Sequence, residues 1–289
     1  MKTKILYITN YKSIASKSGG YINDYLNDLL FYGLTELFNV EVVDSTPIIH
    51  MYDDYKHMVS PQHLWGKGFT STFLIKKDRT NRENLEEKIK DKYFDLIIYG
   101  SSNRCLDYYD LISKIYTANK IILIDGDDSI NINPLADKHI YFKRELNSDK
   151  YIPIHFAIPE IKITKTVLNK TQEYGSIIPG KSHYKFNDEN SYYTDYNKSY
   201  YGVTMKKAGW DCMRHYEIMS NHCVPYFLDI ELCPKQTLTN LPKKLLIEAR
   251  DLSFNFDEQK YNVVLNELFN YTIKNLTTKK LAEYVLSYV

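Results

Sequence analysis

The sequence predicts an α/β protein made of two Rossmann-like halves with parallel sheets and a helical C-terminus. Three observations carry this expectation. Strand-like and helix-like segments alternate through the first half, as in βαβ units. Two of its strands, 95–100 (DLIIYG) and 120–125 (KIILID), are continuously apolar, the pattern of strands buried on both faces. The chain of 289 residues is long for one ordinary domain and comfortable for two of about 150 each. The expected division is 1–150 and 151–289, with the crossing in the polar, two-proline stretch 146–172.

The elements follow in order. Residues 4–9 (KILYIT) form a short apolar run suited to a buried strand. A loop with Ser18-Gly19-Gly20 leads into an amphipathic helix over about 22–38, with Tyr25, Leu26, Leu29, Leu30 and Leu34 on one stripe. VEVVD at 40–44 is a second strand. Residues 46–76 are irregular, rich in aromatics and histidine, with Trp65-Gly66-Lys67-Gly68; a loop of this length in a compact domain is usually functional. A charged helix at 82–92, a helix at 105–117 and a strand at 139–143 complete the first half. The second half offers a strand at 174–178 and a Tyr/Asn/Ser-rich stretch at 183–201. A helix at 212–221, a strand at 223–227 and helices from 243 to 288 follow.

Composition narrows the function. Lys plus Arg is 37 against 36 Asp plus Glu, a net charge of +1, so a polyanion is not the favoured partner and nucleic acid is demoted. The four cysteines match neither a zinc motif nor a dense disulfide framework, which suits reduced thiols and a cytoplasmic location. No apolar run reaches the length of a membrane span. The 27 tyrosines supply flat amphipathic rings of the kind that stack on sugars or bases.

The most informative segment is 204–229. Asp211 is placed to cap a helix. Arg214 and Glu217, three apart, share a face near its start. Lys206 and Lys207 precede it. A helix N-terminus with such cations is a seat for a diphosphate, and Glu217 is suited to a ribose. Cys223-Val224-Pro225-Tyr226-Phe227 then reads as a buried strand.

The run from Arg214 through His215-Tyr216-Glu217 to Cys223-Val224-Pro225 resembles the donor-domain pattern of GT-B glycosyltransferases of the exostosin-like and group 1 kind, roughly R-x-x-E-x-x-x-x-G-x-P-V. The resemblance implies a GT-B-like fold with two Rossmann-like domains facing across a cleft. It implies transfer of a sugar from a nucleotide-sugar donor to a glycan or other hydroxyl acceptor. It puts the family's ribose-holding acid on Glu217, and implies no metal and no cofactor beyond the nucleotide-sugar co-substrate. Two positions depart from it. Many members carry a further Glu eight residues before the first, where this chain has Gly209, and the turn glycine is replaced by His222 or Cys223.

The acceptor side is expected at Gly19 and Gly20 and at the strand ends, where Ser101 and Arg104 fall. Asp127 and Asp24 are the candidates for the base that deprotonates the acceptor hydroxyl. Asp125-Gly126-Asp127 also matches the D-x-D string that holds a metal in GT-A transferases, a three-letter match that the two-Rossmann layout disfavours. Two alternatives stand beside the leading reading: a phage-type DNA-modifying glycosyltransferase acting on a hydroxylated base, and a catalytically inert nucleotide- or carbohydrate-binding protein.

Overall fold

The computed structural model describes residues 2–9, 23–180 and 185–289. The first lobe runs β1 (Thr3–Ile8), α1 (Tyr25–Thr35), β2 (Val40–Asp44), α2 (Leu85–Lys90), β3 (Leu96–Tyr99), α3 (Tyr109–Ile115), β4 (Ile121–Asp125), β5 (Ile140–Lys143) and β6 (Ile152–Pro153). The second runs β7 (Gln172–Tyr174), α4 (Glu189–Asn197), β8 (Ser199–Thr204), α5 (Met213–Ser220), β9 (Val224–Phe227), α6 (Lys243–Asp251) and α7 (Glu258–Asn275), and α8 (Thr278–Leu286) closes the chain.

These strands make two sheets, one of six in the order β2-β1-β3-β4-β5-β6 and one of three in the order β7-β8-β9. Every pairing between them is parallel. The architecture is two Rossmann-like domains with a helical C-terminal region. The apolar strands β3 and β4 are buried along their whole length, as their unbroken hydrophobicity requires. In the larger sheet the strand order reverses between β1 and β3. Ligands of doubly wound sheets gather at such a switch point, beyond the carboxyl ends of the strands.

One buried apolar cluster runs through both lobes, from Ile5, Leu29 and Ile124 to Tyr216, Phe227 and Leu281. The last helix returns to the first lobe, where α8 packs on α1. Gly33 permits that approach, since a Cβ there would lie 2.0 Å from the Thr278 carbonyl oxygen. The Thr278 hydroxyl donates to Glu36 at 2.6 Å.

The second half departs from expectation in three places. The strand expected at 174–178 lies at 172–174. The middle strand of the small sheet, β8, comes from the end of the polar Tyr-rich stretch, because Tyr201, Gly202 and Thr204 are buried there despite their modest hydrophobicity. Asp211 does not cap α5. Cys212 holds that position without a side-chain cap bond, and the Asp211 carboxylate accepts the Phe156 N–H at 2.7 Å instead. Among the described residues no helix is long and apolar enough to cross a membrane.

Candidate functional site

A cavity of about 180 Å³ opens where the 46–76 segment meets α4 and α5. Tyr25, Trp65, Gly66 and Phe69 line it from the first lobe. Lys207, Cys212, Arg214 and Glu217 line it from the second, with Phe186 and Tyr192 beside them. The segment reaches this place through a chain of short 3-10 turns with left-handed backbone at Gly66 and Gly68. Lys67 fastens it to the second lobe, its ammonium donating to the Phe186 carbonyl at 2.6 Å and to Asn187 at 2.8 Å.

Arg214 sits in the first turn of α5. Its Nε and Nη1 are buried and have no hydrogen-bond partner among the described residues. Leaving buried N–H groups of a cation unpaired is costly, which marks Arg214 as a candidate anion contact. Burial works against its charge, but Cys212, Tyr196, Tyr192 and Glu217 outweigh that and hold its pKa above the ordinary value. Lys207, an exposed residue at the same wall, stands close enough to feel it: partial desolvation first, then the charge of Arg214, brings the ammonium below its ordinary pKa.

Glu217 is buried, and both its oxygens are engaged. The Thr70 hydroxyl donates to Oε1 at 2.5 Å and the Tyr192 hydroxyl to Oε2 at 2.7 Å. Burial raises its pKa, and these two bonds and Arg214 oppose the rise. Each carboxylate oxygen has a lone pair left for a second donor. Thr70 reaches this position only by adopting φ +73°, a strained conformation for a β-branched residue. Its oxygen also lies 2.6 Å from the Tyr193 hydroxyl, and its N–H donates to Glu189 at 3.2 Å.

A second cluster forms at the switch point of the large sheet. Asp24 caps α1 by accepting the Asn27 N–H, and it also accepts from Ser101 Oγ at 3.1 Å and Arg104 Nη1 at 2.9 Å. Burial raises its pKa, with Arg104 opposing. Arg104 Nη2 is 3.8 Å from Asp127, which accepts from Asn103 at 3.1 Å. Asp24, Ser101, Arg104 and Asp127 are thus brought together. The side chain of Asp127 is 40% exposed against 10% for Asp24. None of the four lines the cavity, although Tyr25, the neighbour of Asp24, does.

The remaining sequence candidates fall elsewhere. Lys206 is exposed, its ammonium 5.4 Å over the Trp210 ring and its N–H donating to Asp229, and it does not line the cavity. Gly19 and Gly20 lie outside the described residues. Asp125 is not a free carboxylate. Lys143 pairs with it at 2.8 Å, both side chains fully buried, and Tyr141 donates to its other oxygen. Among the described residues no group of three or more His, Cys, Asp or Glu is arranged to hold a metal ion.

Gly209, where the resemblance would put a second acid, is crowded by side-chain tips that would have to shift to admit one. A Cβ there would lie 2.6 Å from Glu145 Oε1 and 2.8 Å from Asp128. Glu145 reaches in from the first lobe and accepts the N–H groups of Trp210 and Asp211, both at 3.0 Å.

Sequence reasoning did not find Thr70, Tyr192 or Phe186. The signal for the first was the Trp65-Gly66-Lys67-Gly68 string, whose glycines mark a segment built for unusual backbone. The tyrosines were visible only as a compositional excess. The chain matches no protein-family model and no curated protein sequence.

Proposed function

We propose that this protein is a nucleotide-sugar-dependent glycosyltransferase of the GT-B kind, related to the exostosin-like and group 1 enzymes. The observation that carries the reading is Arg214, on the wall of an inter-lobe cavity beside Lys207 and Glu217, with two of its three guanidinium nitrogens buried and unpartnered among the described residues. A diphosphate in the cavity lies against the Arg214 side chain, and the uncapped start of α5 adds its partial positive charge. Glu217 accepts from the ribose hydroxyls. Arg214 and Lys207 stabilise the negative charge that grows on the departing diphosphate.

The acceptor approaches from the first lobe. Asp127 is the freer of the two acids and takes the proton of the acceptor hydroxyl. Asp24, held by Arg104, Ser101 and its helix cap, positions Arg104 and through it Asp127. Closure of the lobes aligns the hydroxyl with the anomeric carbon and expels water.

Calorimetry with UDP-, GDP- and dTDP-sugars tests the donor site. Arg214→Ala is expected to weaken the preferred nucleotide by about tenfold to a hundredfold, the range of a lost hydrogen bond to a charged group. Undiminished affinity in a folded Arg214→Ala protein rejects the site. A binding protein without turnover is the competing reading, and the lack of an acid at Gly209 supports it. Binding without donor hydrolysis or transfer to any acceptor decides for that reading.

A further inference from the structure

The cavity is smaller than the roughly 300–1,000 Å³ of sites that enclose a drug-sized ligand. A donor with base, diphosphate and sugar does not fit wholly inside it, so one end projects at the mouth. The inner wall is aromatic and packed, with Phe69 stacked on Tyr192 at 5.6 Å and Phe186 against the same ring at 5.9 Å. Among the described lining residues one ring is exposed, that of Trp65, at 59%.

The main chain of Trp65 is held in place while its ring stays free. Its N–H donates to Asn23 Oδ1 at 2.7 Å, and its carbonyl accepts from Asn23 Nδ2 at 3.3 Å and from the Tyr25 hydroxyl at 3.0 Å. Asn23 is itself buried. The next residue, Gly66, has φ +58°, and a Cβ there would meet the Tyr25 hydroxyl oxygen at 2.4 Å. A larger side chain would therefore strain the backbone and displace the Tyr25 hydroxyl just where the chain turns to present the indole. A fixed backbone lowers the entropy lost when the ring takes up a ligand.

We infer that Trp65 is a stacking platform for a pyranose ring, the sugar end of the ligand whose phosphates Arg214 holds. The inference rests on the donor reading above. The C–H face of a sugar is apolar and slightly positive, and it packs on the electron-rich face of indole. The inner aromatic wall then receives the base.

Fluorescence separates the parts, because the chain has two tryptophans and the other, Trp210, is buried. Emission is followed during titration with UDP, GDP and dTDP and with the matching nucleotide-sugars, in the wild type and in Trp65→Phe and Trp65→Ala. The expected result is an emission change with the nucleotide-sugar, absent from both variants. Affinity for the nucleotide-sugar falls about tenfold in Trp65→Ala, while calorimetric affinity for the bare diphosphate is unchanged. An equal change with the bare diphosphate means that the indole stacks on the base and overturns the inference. Should no nucleotide bind at all, the donor reading fails. Titration with free oligosaccharides then judges Trp65 alone: a response lost in Trp65→Ala supports the platform and no response rejects it.

Discussion

The Thr70 hydroxyl donates to Glu217 Oε1 across 147 positions of the chain, and the Thr70 oxygen itself lies 2.6 Å from the Tyr193 hydroxyl. One strained residue of the 46–76 segment therefore sets the acid of the candidate donor site. Thr70→Val leaves Glu217 and Tyr193 each short of a buried partner and is expected to cost about 1–3 kcal/mol of stability. Thr70→Ser keeps the hydroxyl and sheds the β-branch that φ +73° disfavours, so it should equal or exceed the wild type. Urea denaturation of the two variants provides the comparison, and equal losses in both would show that the hydroxyl is not what matters.

Asp211 makes stability depend on pH. Its Oδ2 accepts the Phe156 N–H, while Oδ1 is buried without a partner among the described residues. Burial, only partly offset by Arg144, lifts its pKa to about 6. An unfolded Asp titrates near 3.9. Between those values the native state binds more protons at this group than the unfolded state, so the contribution of Asp211 to stability is fullest below about pH 4 and falls as pH rises toward 6. Asp211→Asn removes this contribution, and urea midpoints at pH 4, 5 and 6 should show a flatter slope than the wild type. An identical slope would assign the titration to other groups.

The D-x-D string answers to folding. Asp125 and Lys143 are a fully buried pair, and removing one partner strands the other charge. Lys143→Met is expected to cost about 3–5 kcal/mol. Asp127→Asn, at a half-exposed position, should leave the unfolding transition nearly unmoved and lower the turnover number instead. A transferase rate that survives Asp127→Asn intact would remove it from the mechanism.

The first lobe was legible because its signals are local. β2 falls at 40–44, as its alternating run indicates, and the apolar strands β3 and β4 lie within a residue of their expected bounds. The short spacing from Arg214 to Glu217 was enough to place both on one helix and one cavity wall. What escaped depends on long-range packing. Nothing near Thr70 in the chain announces Glu217, and nothing near Gly209 announces that Glu145 fills its space. Asp211 has the side chain of a helix cap, but a backbone N–H from residue 156 competed for it and won. β8 was hidden because its buried Tyr201 and Thr204 carry hydroxyls that read as polar.

Gly33 is the point where the last helix touches the first lobe. A Cβ on it would lie 2.0 Å from the Thr278 backbone oxygen, and backbone cannot swing aside as a side-chain tip can. Gly33→Ala improves the helix propensity of α1 by about 1 kcal/mol, yet it should destabilise the protein, because α8 must move. Hydrogen exchange is the measurement: protection should fall over 278–286 first. Unaltered protection there would mean that α8 does not depend on this contact.

Cys212 sits at the start of α5, on the cavity wall, with its sulfur 3.4 Å from His215 Nε2. Burial raises its pKa, but His215 and Arg214 outweigh burial and bring the thiol below its ordinary value. The other three cysteines go the opposite way: burial pushes Cys105 up to about 11 and Cys223 up to about 12, and raises Cys233 as well. The thiolate is the reactive form, so at neutral pH iodoacetamide should alkylate Cys212 well before the rest. Peptide mass spectrometry over a time course reads the order, and Cys212→Ser should abolish the fast phase. If a nucleotide-sugar binds at Arg214 as proposed, it covers the same wall and should slow the reaction in proportion to its occupancy. Fast alkylation that the tightest-binding nucleotide leaves untouched would place that nucleotide away from α5.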